Sequence, residues 1–218
     1  MNPTRHGHRP HDLLWLDDAA ALTVDGAMPP WAIPAWLAVA PVVVRRAPLD
    51  AARGVPVGLR GAARSERCAA HAAADRVVRA LTPEGVAHRV TTAAALREST
   101  LPCLRTLARL APALDASALA WGVTGSVGFT LASGFDVLRP DSDLDLLVRA
   151  PFADDADALL AVAALLRGSD ARIDVQVETP VGAFALQEWL RTGGPVLLKT
   201  NRGPVLTDDA WSTTAEAA

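Results

Sequence analysis

The chain of 218 residues is 50% hydrophobic, which is enough to bury one large domain or two small ones without disulfides or a structural metal. Its formal net charge of -3 and pI near 5.9 argue against a protein that coats nucleic acid, because such domains carry a marked basic excess. Cys68 and Cys103 lack the spacing of a zinc site, and neither a secretory leader nor a long uncharged apolar stretch is present, so we expect a cytoplasmic protein with no membrane or nucleic-acid partner.

Prolines interrupt the first part of the chain and predict short strands and loops there; they are Pro29, Pro30, Pro34, Pro41, Pro48 and Pro56. Residues 40–48 (APVVVRRAP) and 54–61 (GVPVGLRG) predict strands that end in arginine. Residues 65–81 are rich in helix formers and predict a helix capped by Ser65. A leucine stripe over residues 101–112 predicts an amphipathic helix.

The second half alternates short apolar strands with longer helical segments. Strands are predicted over 118–123, 143–150, 171–178 and, as the final strand, 195–200, and helices over 126–133, 153–168 and 181–194. This pattern predicts an α/β fold of the α+β kind, with a mixed sheet and flanking helices in residues 89–218. A smaller N-terminal α/β domain that recognises the substrate or partner is expected over residues 1–88.

A glycine-serine turn follows the first strand of this second half. In GVTGSVG (122–128), Gly125 and Ser126 lead into a helix whose free N-terminal amides would face the turn. Such a turn can hold phosphate, although the P-loop lysine and the dinucleotide glycine spacing are both missing. Taken alone, it is more simply interpreted as an ordinary tight turn.

Two aspartates begin the next predicted strand, in SDLDLLV (142–148). Asp143 and Asp145 share one face of the strand, about 6.6 Å apart along the chain, while leucines pack behind them. Side-by-side carboxylates repel, so a pair of Mg²⁺ or Mn²⁺ ions or a cationic partner would be needed to keep both ionised. Asp174 on the following strand can complete the cluster or pair only with Arg172, and simple solvation of all three acids is the alternative.

The order of these elements is similar to a known superfamily. The glycine-serine turn, short helix, Ser-Asp-x-Asp strand and later acidic strand, over residues 119–178, resemble the nucleotidyltransferases. Four further segments resemble the phosphoribosyl-dephospho-CoA transferases of malonate decarboxylase, also called holo-acyl-carrier-protein synthases. They are RPHDLLWL (9–16), VPVGLRG (55–61), WGVTGSVGFTLASG (121–134) and SDLDLLVRAP (142–151).

The resemblance implies a nucleotidyltransferase-like fold and a specific reaction. A phosphoribosyl-dephospho-CoA group would pass from triphosphoribosyl-dephospho-CoA to a serine of the apo acyl-carrier subunit of malonate decarboxylase, and pyrophosphate would be released. Asp143 and Asp145 correspond to the catalytic, metal-binding aspartates, and Gly125 and Ser126 to the nucleotide-binding turn. Asp174 is a less sharply marked third metal ligand.

Several basic and aromatic residues are weaker candidates. Arg60 and Lys199 end strands from which they could reach the phosphates of the donor, although surface solvation explains each of them as well. An arginine-bearing face of residues 40–64, including Arg45 and Arg60, is expected to dock the carrier. Adenine stacking and core packing both explain the tryptophans, Trp15, Trp31 and Trp36.

Two other functions remain open from the sequence alone. One is a small-molecule nucleotidyltransferase of the antibiotic-modifying type, and the other is a noncatalytic, antitoxin-like binding module of the same fold. The N-terminal segments favour the carrier-modifying family over the first alternative. The presence of both Asp143 and Asp145 favours an enzyme over the second.

Overall fold

The computed structural model describes residues 7–48, 50–90 and 94–212. Within these ranges the chain forms two six-stranded sheets and six α-helices. The predicted α+β fold is confirmed.

The first sheet is antiparallel throughout and has the order β2-β5-β4-β3-β1-β6. Its strands are β1 (Leu13–Leu16), β2 (Leu22–Val24), β3 (Val42–Val44), β4 (Val55–Arg60), β5 (Arg67–Ala72) and β6 (Val77–Leu81). One short helix, α1 (Pro34–Leu37), precedes β3. The buried apolar side chains of this sheet form a core of their own, centred on residues such as Leu14, Val57 and Leu59.

The helix predicted over residues 65–81 is wrong, because these residues form β5 and β6. Every residue of β5 pairs with a residue of β4, and Ala70 and Ala72 are fully buried against the neighbouring strands. The helix propensity of alanine is worth only tenths of a kcal/mol per residue, roughly, so strand pairing and burial override it. The strands predicted within residues 40–48 and 54–61 are confirmed as β3 and β4.

Two helices connect the sheets. Helix α2 (Pro83–Val90) begins after Thr82, whose side-chain oxygen accepts a hydrogen bond from the Gly85 amide at 3.0 Å. Helix α3 (Pro102–Asp115) confirms the predicted leucine stripe. The buried residues of both helices belong to the core of the second sheet, although α2 starts within the range 1–88. The boundary after residue 88 stays a prediction.

The second sheet has the order β12-β11-β10-β9-β8-β7 and contains one parallel pair, β8 with β9. Its strands are β7 (Ala120–Val123), β8 (Leu144–Arg149), β9 (Ile173–Glu178), β10 (Ala183–Ala185), β11 (Val196–Thr200) and β12 (Gly203–Thr207). Helix α4 (Gly125–Ser133) follows β7, α5 (Ala156–Leu165) connects the parallel strands, and α6 (Leu186–Thr192) follows β10.

Two predictions for this sheet need correction. The segment 181–194 is not helical throughout, because β10 pairs with β9 before α6 begins, and it buries Ala183 and Phe184 completely. The strand over 195–200 is not the last, because the chain turns at residues 201–202 and returns as β12. Gly203, at a φ of 128°, permits that reversal.

The strand register positions the acidic residues. Asp145 of β8 lies directly beside Asp174 of β9, and Leu144 and Leu146 pack in the core on the opposite face. The first sheet packs on the same face of the second sheet near the end of β9, where Arg46 bonds Glu178 at 2.5 Å. The cleft that contains the acids is therefore formed by both sheets.

Candidate active site

The turn between β7 and α4 is joined to the acidic strand by its backbone. The Thr124 amide donates to the Asp145 carbonyl at 2.9 Å, and the Gly128 amide donates to the Thr124 carbonyl at 2.8 Å. Gly125 has a φ of +61°, and a Cβ at this position would overlap the Asp145 carboxylate. Glycine is thus required at residue 125 both by its backbone conformation and by the closeness of Asp145.

Three carboxylates lie together at this point. Burial, and then the charges of Asp174 and Asp143, raise the pKa of Asp145 above its usual value. Arg172 bonds Asp174 at 2.8 Å and lies 3.8 Å from Asp143, but it is 70% exposed and its neutralising effect is screened by water. Asp145 forms no ion pair among the described residues, and the charges of Arg172 and Arg60 lower its pKa by less than burial and the neighbouring carboxylates raise it.

The carboxylates fit a hard divalent cation by their chemistry, because oxygen ligands and accumulated negative charge are what Mg²⁺ and Mn²⁺ prefer. Asp143, Asp145 and Asp174 would hold it. In the described part of the chain, however, no three His, Cys, Asp or Glu side chains are already arranged as a metal-binding group. Arg172 pairs with Asp174 at 2.8 Å, and a bound cation would compete with this ion pair for the Asp174 carboxylate.

Arg60 reaches the turn from the first sheet. Its Nη2 donates to the Ser126 hydroxyl at 2.7 Å, and its guanidinium lies 4.9 Å from the centre of the Phe129 ring. Arg60 is only 8% exposed, and its buried Nε has no hydrogen-bond partner among the described residues. Burial and the charge of Arg67 lower the pKa of Arg60 to about 10, which leaves it protonated at neutral pH.

This arrangement presents positive charge at the helix start. The N-terminus of α4 has no side-chain cap, so its first amides and the helix dipole add to the guanidinium of Arg60. Ser126 connects the two, since its hydroxyl accepts from Arg60. An anion with several oxygens, such as a phosphate chain, matches these donors.

A second set of contacts lies farther along β9. The Gln176 amide nitrogen donates to Glu178 at 2.9 Å and lies 2.7 Å from Nε2 of His11, and the Gln176 amide oxygen accepts from Lys199 at 3.3 Å. Lysine only donates and an ionised carboxylate only accepts, so these two neighbours fix the amide orientation. Lys199 therefore lies in the cleft, and its hydrogen bond is to Gln176 and not to the glycine-serine turn.

The same network fixes the state of His11. Because the Gln176 amide nitrogen is a donor, Nε2 of His11 must accept, which leaves the ring neutral with its proton on Nδ1. Burial lowers the pKa of His11 and favours the same neutral form. The backbone of His11 is in the left-handed region, with a φ of 74°, and its amide bonds the Val44 carbonyl at 2.9 Å. This strained conformation places the ring in the cleft.

The cleft has a volume of about 640 Å³, which lies within the range of small-molecule sites. All the predicted site residues line it: Arg60, Gly125, Ser126, Asp143, Asp145, Asp174 and Lys199. The three tryptophans do not, and Trp36 instead donates to the Arg60 carbonyl at 2.7 Å and packs on Phe135. Because Arg60 is buried in the cleft, the expectation that it forms part of an outer docking face is wrong.

Several other residues of the cleft were not among the predicted site residues. His11, Gln176 and Arg139 belong to it, as do Arg64 and Arg67 from the turn between β4 and β5. Arg67 was missed because the helix wrongly predicted over 65–81 assigned it to a helix surface, whereas it pairs with Arg60 on the neighbouring strand. Of these residues, Gln176 could have been identified from the sequence, because the alternation along β9 places it on the same face as Asp174.

Comparison with known proteins identifies the chain at the level of its family. The family model of the N-terminal domain of the phosphoribosyl-dephospho-CoA transferase MdcG matches residues 9–83, and that of the C-terminal domain matches residues 88–210. No solved structure shows significant similarity to the chain. None of the helices in the described residues has the length and apolarity needed to cross a bilayer.

Curated relatives agree along nearly their whole lengths. A phosphoribosyl-dephospho-CoA transferase of Klebsiella pneumoniae (strain 342) is 45% identical over 93% of this chain and 96% of its own. The relatives of the same name from Pseudomonas aeruginosa and Pseudomonas putida (strain GB-1) are 45% and 43% identical, over 95% and 96% of this chain and 95% and 98% of their own. The chain therefore belongs to the phosphoribosyl-dephospho-CoA transferase family and is an enzyme of the transferase class.

Proposed function

We propose that the chain transfers the phosphoribosyl-dephospho-CoA group from triphosphoribosyl-dephospho-CoA to a serine of the apo acyl-carrier subunit of malonate decarboxylase. The observation that carries this proposal is the meeting, in one cleft, of a carboxylate cluster and a cationic helix start. Asp145 packs directly on Gly125, and Arg60 bonds the adjacent Ser126. Transfer at a phosphorus atom needs both features, one on each side of the reacting bond.

The reaction exchanges a phosphoanhydride bond for a phosphoester bond. The serine oxygen of the carrier attacks the α-phosphorus of the donor and forms a P–O bond, while the bond from that phosphorus to the β,γ-pyrophosphate breaks. The serine proton leaves with the help of a base, and the pyrophosphate takes the electron pair of the broken bond. The modified carrier, the pyrophosphate and the released proton together contain every atom of donor and acceptor.

The residues of the cleft divide this work between them. Arg60, the Ser126 hydroxyl and the first amides of α4 hold the β,γ-phosphates and stabilise the charge that develops on pyrophosphate. Asp143, Asp145 and Asp174 would hold Mg²⁺ or Mn²⁺, which would supply neutralisation of the phosphate charge and activation of the serine hydroxyl. A carboxylate of this cluster also accepts the serine proton, as a modest base when it is bound to the cation.

The test is intact-mass spectrometry of the carrier subunit after incubation with the protein, Mg²⁺ and triphosphoribosyl-dephospho-CoA. A gain of one phosphoribosyl-dephospho-CoA group is expected with the wild-type protein and not with the double variant Asp143→Asn, Asp145→Asn. Asp157→Asn is the matched control, because this exposed aspartate on α5 does not line the cleft.

The opposite outcomes are informative. Metal-dependent binding of the triphosphate donor without any mass gain would redirect the assignment to another acceptor, including a small molecule. Binding of a protein partner without metal, and without binding of the donor, would favour a noncatalytic module.

A further inference from the structure

The turn between β4 and β5 brings a group of arginines to the cleft. Arg60, Arg64 and Arg67 lie within eight residues of sequence, and all three line the cleft. Arg139, from the loop before β8, lines the same cleft. The acids of the cleft are on β8, β9 and the residues just before β8, where Asp141 and Asp143 follow Arg139 in the same loop.

The turn is built to present its arginines. The Glu66 carboxylate accepts from the Ala63 amide at 2.8 Å and packs against Gly61, so it is occupied within the turn. The Arg67 guanidinium donates to the backbone carbonyl of Glu66 at 3.0 Å and to that of Ala63 at 3.4 Å. Main-chain oxygens therefore hold Arg67 in place, and a large part of its charge is left uncompensated.

The loop of Arg139 is fixed in a comparable way. Its amide donates to the Ser142 hydroxyl at 2.9 Å, and the Ser142 amide donates back to the Arg139 carbonyl at 3.0 Å. The closed turn leaves the guanidinium of Arg139 exposed at the cleft. Among the described residues, none of Arg64, Arg67 and Arg139 forms an ion pair with a carboxylate.

This grouping is unfavourable in the empty protein. Arg60 and Arg67 are directly opposite each other on the paired strands, where like charges destabilise a sheet. Arg67 lies on the exposed rim and Arg60 in the interior, so an anion that relieved one of them would not automatically relieve the other. Two separate phosphate groups, at different depths, would match this pattern.

We propose that Arg64, Arg67 and Arg139 form a second phosphate site, which binds the diphosphate bridge of the dephospho-CoA part of the donor. The inference rests on the proposed function, whose donor carries two phosphate groups, the 5-triphosphate and the diphosphate that joins adenosine to pantetheine. The inner site at Arg60 and Ser126 adjoins the carboxylates and takes the triphosphate. The outer arginines have no carboxylates facing them in ion pairs, so they bind a diphosphate directly by their guanidinium groups.

The experiment is calorimetric titration with two probes that each contain one of the phosphate groups. Dephospho-CoA contains the diphosphate alone, and tripolyphosphate with Mg²⁺ represents the triphosphate alone. Arg67→Gln and Arg139→Gln are each expected to weaken dephospho-CoA binding about tenfold or more while changing tripolyphosphate binding less than about twofold. Arg167→Gln, which removes an exposed arginine outside the cleft, should change neither affinity.

Three results would overturn the second site. In the first, Arg67→Gln and Arg139→Gln bind dephospho-CoA with the same affinity as Arg167→Gln. In the second, both substitutions weaken the binding of the two probes equally. In the third, the wild-type protein does not bind dephospho-CoA. A rise in KM for the carrier with unchanged dephospho-CoA affinity would also overturn it and would assign the arginines to the carrier. Because the probes need no carrier, an arginine-dependent affinity for dephospho-CoA supports the site even if transfer to the carrier fails.

Discussion

The two glycines at the ends of helix α4 allow the requirement for glycine at residue 125 to be tested against an internal control. Gly125, with a φ of +61°, begins the helix, and Gly134, with a φ of +79°, is its C-cap. An added Cβ at Gly134 would meet nothing within 4 Å, whereas at Gly125 it would overlap the Asp145 carboxylate. Alanine at either residue introduces the same left-handed strain, about 1–2 kcal/mol. Only Gly125→Ala also displaces Asp145.

The two substitutions should therefore separate stability from activity. For a chain of this length, each kcal/mol lowers Tm by about 2–4 °C, so Gly134→Ala should lose a few degrees and keep its kcat/KM. Gly125→Ala should lose at least as much stability. A displacement of a reacting group by about 1 Å slows catalysis roughly hundredfold, which corresponds to about 2.7 kcal/mol of transition-state stabilisation.

The assay is a transfer time course monitored by carrier mass, combined with thermal unfolding of both variants. Equal kcat/KM in Gly125→Ala and Gly134→Ala would refute the reasoning, because it would show that the contact between residue 125 and Asp145 does not position the carboxylate. A loss of activity in both would attribute the effect to the helix as a whole.

Three further outcomes follow from the charges in and around the cleft. The pKa of Asp145 is raised in the folded state, so its ionised form disfavours folding at pH above that raised value. Asp145→Asn should therefore increase Tm of the metal-free protein at neutral pH and lose this advantage as the pH falls. A Tm gain that grew in acid, measured by differential scanning fluorimetry, would contradict this. Mg²⁺ at about 100 times its Kd should stabilise the wild-type protein by about 2.7 kcal/mol and raise its Tm accordingly. EDTA, or the double variant Asp143→Asn, Asp145→Asn, should abolish this Tm increase. An equal Tm increase in the double variant would place the ion elsewhere. Glu178→Ala leaves Arg46, which is 16% exposed, without its carboxylate and should lower the free energy of unfolding in urea by about 3–5 kcal/mol. The double variant Arg46→Met, Glu178→Leu should recover most of that stability. A double variant as unstable as Glu178→Ala would count against the ion pair as the cause.

The acidic half of the site was predictable because its determinants are local. Alternation along 143–148 and 171–178 assigns Asp145 and Asp174 to the polar faces of their strands, and the helical segment between them favours a parallel connection. The structure confirms that these residues are neighbours in register. The glycine-serine turn was likewise visible, because it lies between a strand and a helix in sequence.

The cationic half was less accessible because it depends on contacts between distant residues. Arg60 meets Ser126 across 66 residues of sequence, and Gln176 meets His11 across 165. Arg60 could be suggested as a phosphate contact, but its burial could not, since that follows from the packing of one sheet on the other. Local propensity also predicted the wrong structure for 65–81, where alanines suit a helix, but pairing of β5 with β4 and of β6 with β1 makes the segment two strands.

The ion pair between Arg46 and Glu178 also sets the order in which the enzyme can be completed on the ribosome. Its partners are 132 residues apart in the chain. At about 5–20 residues per second, roughly 7–26 s of synthesis separates the appearance of the arginine from that of the carboxylate. The first sheet therefore has time to fold while Arg46 and Arg60 are still hydrated, and the cleft closes only after β9 has been translated.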